Sequence, residues 1–202
     1  VVSEHTQTGE TLYLPSAFIY KCSVPEHEEI KSRLLPKIIK TSEDKEGDPD
    51  WGWAANDTSP TRSNWGAKER FFDYFTEADI NTVIWQPIRE MLRDGLNLGK
   101  IPDNFSLKSI WWNRYPPGAS APAHVHDGSL AGVYLLEQDE TCPLNFLYVN
   151  PFSLHPNGGG EIQFAPDAKE GDVLLFPARL VHWVAPTKKH RASVSFNLNP
   201  SF

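Results

Sequence analysis

Between residues 106 and 198 the chain is cut into short apolar segments, and glycine, proline or asparagine stands in the breaks between them. The segments are Ser106–Tyr115, Leu130–Leu136, Leu144–Val149, Glu161–Phe164, Val173–Phe176 and Ala192–Leu198. Each is too short for a core helix and long enough for a strand. Closely spaced strands with turn residues between them predict an antiparallel sandwich or barrel. Helical spacing is confined to the front. Over Val24 to Lys40, Ile30, Leu34, Leu35, Ile38 and Ile39 recur on one face. From about Glu77 to Leu96, Ile80, Val83, Ile84, Ile88, Met91 and Leu92 do the same, with Thr76 or Asp79 as the N-cap. The expected architecture is mainly β with flanking helices, the N-terminal helices packing on one sheet. At 202 residues one core suffices. We expect a single domain over 1–202, with a helical part and a loop in 1–104 and the β core in 105–202.

The stretch 41–64 has no period and is rich in Asp, Gly, Ser and Pro. Together with Trp65, its residues Trp51 and Trp53 argue against plain disorder. Two readings stay open: a lid that contacts substrate, and a packed surface loop.

Charge and cysteine content exclude some partners. A net charge of −7 disfavours a nucleic-acid backbone and an anionic membrane surface. No apolar run is long enough for a transmembrane helix, and the first residues lack the basic and apolar regions of a signal peptide. Cys22 and Cys142 alone make no disulfide framework, so a reducing cytoplasm is the expected location. Exposed barrel edges often pair, which leaves a homodimer open.

Chemistry concentrates in the β half. His124 and His126 stand at i and i+2, a spacing that puts both side chains on one face of a strand. His182 follows Gly171-Asp172, an apolar run and Pro177, the pattern of a turn, a buried strand and its end. Three imidazoles on neighbouring strands can form a facial ligand set with open positions for chemistry. Asp127 points to the other face and is a weaker candidate ligand. Arg191 and Ser193 are again at i and i+2. A buried guanidinium needs a partner, and its planar fork matches a carboxylate. That carboxylate belongs either to a bound organic acid or to the protein, Glu161 or Asp172.

These motifs resemble two related families. Gly118, His124 and His126, then Gly171, Pro177 and His182, follow the two cupin motifs. The cupin Glu after the histidine pair is missing, Arg179 stands for a Gly, and Pro186 stands for an Asn. His182 with Arg191 and Ser193 beyond it is similar to the iron(II)- and 2-oxoglutarate-dependent oxygenases. His124-Val-His126 followed by Gly132-Val-Tyr134 resembles their uncharacterised bacterial and phage branch. The likeness runs from about Ser109 to Asn197. It implies a double-stranded β-helix, the cupin-like jelly roll, with Fe(II) and 2-oxoglutarate as cofactors. It implies Fe(II) on His124, His126 and His182, with no catalytic residue beyond these ligands. Arg191 and Ser193 would hold the distal carboxylate of 2-oxoglutarate, Tyr134 would add a hydrogen bond, and Asn113 would meet the C1 end. The expected reaction is C–H oxidation of an unidentified small molecule or protein side chain. His126 stands where most such oxygenases place a carboxylate. An alternative ligand register starts at His126 and puts Gly128 in the second place. Two other functions stay open: a metal-dependent cupin enzyme that uses no 2-oxo acid, and a non-catalytic jelly-roll binding module.

Overall fold

The computed structural model describes residues 10–14, 17–44, 61–64, 74–94, 104–149 and 161–201. Most of the 41–64 stretch, Trp65 and the segment 150–160 lie outside the described residues, and so does the lid reading.

Eleven strands form two antiparallel sheets among the described residues: β1 Glu10–Leu14, β2 Ala17–Ser23, β3 Arg62–Ser63, β4 Phe105–Tyr115, β5 Ala121–His124, β6 Leu130–Glu137, β7 Leu144–Val149, β8 Glu161–Phe164, β9 Asp172–Pro177, β10 Val181–Val184 and β11 Arg191–Pro200. The larger sheet runs β1-β2-β9-β6-β11-β4-β3 and the smaller β5-β10-β7-β8. This is a jelly roll. All six strands expected in the back half are present, joined by the short β5 and β10 that carry histidines. The front half is less helical than its sequence suggested, because β1, β2 and β3 also belong to the larger sheet.

The helices are α1 His27–Asp44, α2 Glu77–Ile80 and α3 Gln86–Arg93, with a π-helical turn, Asn81–Trp85, joining the last two. Thr76 caps α2 in a capping box with Asp79. Asp79 also takes an ion pair from Arg33 of α1, which ties the two helical stretches together.

Two apolar layers flank the larger sheet. On one side Ile30, Leu34 and Ile38 of α1, with Val83, Ile84, Ile88 and Met91, pack on Trp112, Tyr134, Val194 and Phe196. On the other, Val133, Leu135, Leu174 and Phe176 meet Leu144, Phe146 and Val184 of the smaller sheet. Strand β11 serves both layers. Ala192, Val194, Phe196 and Leu198 face the helices, and Arg191, Ser193, Ser195 and Asn197 line a cavity between the sheets. Gly132 of β6 lies opposite Phe196, and a Cβ there would sit 2.0 Å from the ring. The expected Gly171-Asp172 turn is present: Gly171 has φ +89°, and Asp172 accepts from Ser23 Oγ at 2.5 Å and from Lys169 N at 2.8 Å.

Candidate metal centre

Strand pairing assembles the histidines. His124 and His182 are directly opposite one another on β5 and β10. His126 lies two residues past His124, beyond the end of β5, where its N–H donates to Ala178 O at 2.8 Å. The regular strand expected there therefore stops at His124, yet the third ring still turns inward. Ring centroids are 4.2 Å apart for His124 and His182, 4.7 Å for His126 and His182, and 5.4 Å for His124 and His126. One ligand atom from each lies within 4.8 Å of the other two.

Hydrogen bonds fix which nitrogen carries the proton. Nδ1 of His124 meets Pro122 O at 2.7 Å, Nδ1 of His182 meets Leu180 O at 3.0 Å, and Nδ1 of His126 meets Asn197 Oδ1 at 2.9 Å. All three partners are oxygens that only accept, so each Nδ1 donates and each Nε2 keeps a lone pair. The amide of Asn197 is held in that sense by its other end, which donates to Ser109 Oγ at 3.0 Å. His126 Nε2 and His182 Nε2 stand 3.1 Å apart. With both protons committed elsewhere this contact is no hydrogen bond, and two lone pairs at that distance repel unless a cation accepts both. Burial pushes all three imidazoles toward the neutral, ligating form: His124 downward, His126 to about 4 and His182 to about 2. The residues fit a metal ion bound by nitrogen.

Asp127, the weaker candidate, is 74% exposed and 3.9 Å from Lys108 Nζ; it borders the cavity and does not join the three converging histidines. Val125, the other rim residue, is also exposed.

The cavity is about 250 Å³, and its lining includes Asn113, Tyr115, Arg191 and Ser193 together with the three imidazoles. Arg191 is 1% exposed. Its Nη1 donates to Cys142 O at 2.7 Å, the guanidinium carbon lies 5.8 Å from the Tyr115 ring centre, and Nε has no hydrogen-bond partner. Among the described residues it makes no ion pair with Asp172 or Glu161: Asp172 is engaged by Ser23 and Lys169, and Glu161 is exposed at the start of β8. Burial lowers the proton affinity of Arg191, and the groups of Tyr115, Cys142 and Asp139 nearby only partly offset it. Tyr115, cross-strand partner of Arg191, shares a hydrogen bond with Ser193. Asn113 Nδ2 donates to Ser195 Oγ at 3.2 Å on the same wall.

Tyr134 is a correction. It is fully buried on the helix side of β6, away from the cavity, and its hydroxyl meets His27 Nδ1 at 2.7 Å. Its neighbour Val133 faces the cavity instead. Conversely, Tyr115 and Asn197 were not singled out from the sequence. The signal for Asn197 was present, because it shares the parity of Arg191 along β11.

Residues 109–197 match a family model described as "Putative 2OG-Fe(II) oxygenase". No curated protein matches the chain by sequence. Solved structures do. A prolyl-4-hydroxylase of Pseudomonas putida is 13% identical, with 98% of this chain and 95% of that one covered at a TM-score of 0.53. AviO1 of Streptomyces viridochromogenes Tue57 is 12% identical, with 89% and 88% covered at 0.57. HygX of Streptomyces hygroscopicus, solved with nickel, 2-oxoglutarate and hygromycin B, is 12% identical, with 93% and 84% covered at 0.55. At such identities the likeness is one of fold.

Proposed function

We propose that this chain, whose residues 109–197 belong to the 2OG-Fe(II) oxygenase family, is an oxidoreductase that uses iron(II) and 2-oxoglutarate to oxidise a C–H bond of a small molecule or protein side chain. The observation that carries the reading is that one ring nitrogen of each of His124, His126 and His182 lies within 4.8 Å of the other two, with a buried guanidinium that makes no ion pair among the described residues in the same cavity. His124, His126 and His182 would hold the metal. Iron(II) there supplies dioxygen activation, and 2-oxoglutarate supplies two electrons as it is decarboxylated to succinate.

The remaining work belongs to the protein. Arg191 offers its fork to the distal carboxylate of the 2-oxo acid, with Ser193 and Tyr115 beside it. In a site this enclosed the charge pair is little screened, so it fixes the orientation of a flexible diacid. Asn113, bonded to Ser195, serves the keto-acid end from the same wall. Carbonyl and amide oxygens behind each Nδ1 hold the rings in the ligating tautomer, so no imidazole proton has to leave when metal arrives. Substrate approaches the mouth between Val125 and Asp127. No helix of the described residues is long and apolar enough to cross a membrane. Cys22 and Cys142, both free and buried, suit a reducing cytoplasm.

The test is spectroscopic. Adding iron(II) and then 2-oxoglutarate under anaerobic conditions should give the visible charge-transfer band of the chelate. Arg191→Ala should lose the band, Ser193→Ala should keep it at reduced affinity, and His182→Ala should lose the metal. Stoichiometric metal without a band would mean metal chemistry that uses no 2-oxo acid. Absence of metal binding would overturn the proposal.

A further inference from the structure

Three loops are hydrogen-bonded to one another beside Arg191, and one carboxylate lies between two of them. Asp139, in the β6–β7 loop, is 0% exposed. Its Oδ1 accepts from Thr141 N at 3.0 Å and Thr141 Oγ1 at 2.8 Å. Its Oδ2 accepts from Lys188 N at 2.7 Å and Lys189 N at 2.9 Å, both in the β10–β11 loop. Four donors on one buried carboxylate leave neither oxygen unsatisfied, which is how a charge survives away from water.

Both loops bear on Arg191. The β10–β11 loop ends at residue 190, so it sets where the backbone of Arg191 enters β11. The β6–β7 loop supplies Cys142 O, the acceptor for Arg191 Nη1. Cys142 is itself tied back, its N–H to Asp139 O at 2.9 Å and its Sγ to Ala185 O at 2.8 Å. Thr187 joins the third loop, donating to Ala119 O at 2.9 Å and to Pro116 O at 2.9 Å just beyond Tyr115. The carboxylate thus fixes the root and the anchor of the same guanidinium without entering the cavity.

We propose that Asp139 is a positioning residue for the 2-oxo acid, acting through Arg191 by clamping the β6–β7 loop to the β10–β11 loop. The inference rests on the reading that Arg191 receives the distal carboxylate. An Asn at 139 would turn an N–H₂ group toward one pair of donors, and an Ala would leave all four without their acceptor.

The experiment compares two ligands on the iron(II)-loaded protein under anaerobic conditions: 2-oxoglutarate, and pyruvate, which lacks the distal carboxylate. Dissociation constants come from the chelate band or from tryptophan fluorescence. Asp139→Asn and Asp139→Ala should weaken 2-oxoglutarate by about ten-fold, the scale on which supporting hydrogen bonds act. They should leave pyruvate and iron(II) affinities unchanged. In an Arg191→Ala background the Asp139 substitutions should add nothing further, the sign that one acts through the other. Should the Asp139 variants fail to fold, Thr141→Val removes one donor while keeping the charge, and should show a smaller loss confined to 2-oxoglutarate. Unchanged 2-oxoglutarate affinity, or an equal loss for pyruvate, would overturn the proposal for Asp139. An Arg191→Ala protein that still prefers 2-oxoglutarate to pyruvate would instead overturn the reading beneath it.

Discussion

Asn197 shows how one neutral residue can govern a cluster of ionisable ones. Its Oδ1 keeps the proton of His126 on Nδ1, and its own orientation is set by Ser109. Asn197→Ala should lower iron(II) affinity by about 10- to 100-fold without removing a ligand, as read by metal titration against a competing chelator. An unchanged affinity would mean that packing alone orients the ring, which Trp111 also contacts at 5.2 Å between centroids. The three converging histidines and the buried Arg191 were legible because their types and spacings are rare together. Tyr115 was not, since it acts through the cross-strand partnership with Arg191, and register is not written in local sequence.

At the scale of the element, two neighbouring strands explain why one face assignment held and another failed. Strand β11 alternates: Arg191, Ser193, Ser195 and Asn197 on one face, Ala192, Val194, Phe196 and Leu198 on the other. Its parity can be read directly. Strand β6 is buried on both faces from Leu130 to Leu136, so its sequence is a continuous apolar run with no phase to announce which side Tyr134 takes. The structure puts Tyr134 against His27, and Tyr134→Phe should therefore cost about 1 kcal/mol in denaturant unfolding. It should leave 2-oxoglutarate affinity untouched; a loss of that affinity would return the hydroxyl to the cavity. The helical stretch 77–93 was legible as one helix, while its π turn was not. One residue added to a turn barely disturbs helical spacing, and Gln86 N bonding back to Asn81 O is the mark it leaves.

For the whole molecule, the cost of keeping three imidazoles neutral appears as acid sensitivity. Their folded-state proton affinities are depressed below the ordinary value of 6.5. The unfolded chain therefore binds more protons as pH falls, and stability must drop below about pH 6.5. For a histidine held neutral the loss is roughly 2 kcal/mol at pH 5. Asp139, held near 2 by its hydrogen-bond donors despite burial, adds a second loss in the lower window between its ordinary value and about pH 2. Thermal melts of metal-stripped protein should show a falling midpoint from pH 7 to pH 5; a flat profile would mean that the rings are not held neutral. A different consequence follows from where the front of the chain is stitched. β2 borders β9, β3 borders β4, and the helices roof the same sheet. A fragment trimmed to residues 109–197 would keep the three clustered histidines and Arg191. It would also present raw strand margins and an uncovered apolar face, an invitation to aggregate that makes β2, β3 and the helices the hull of this protein.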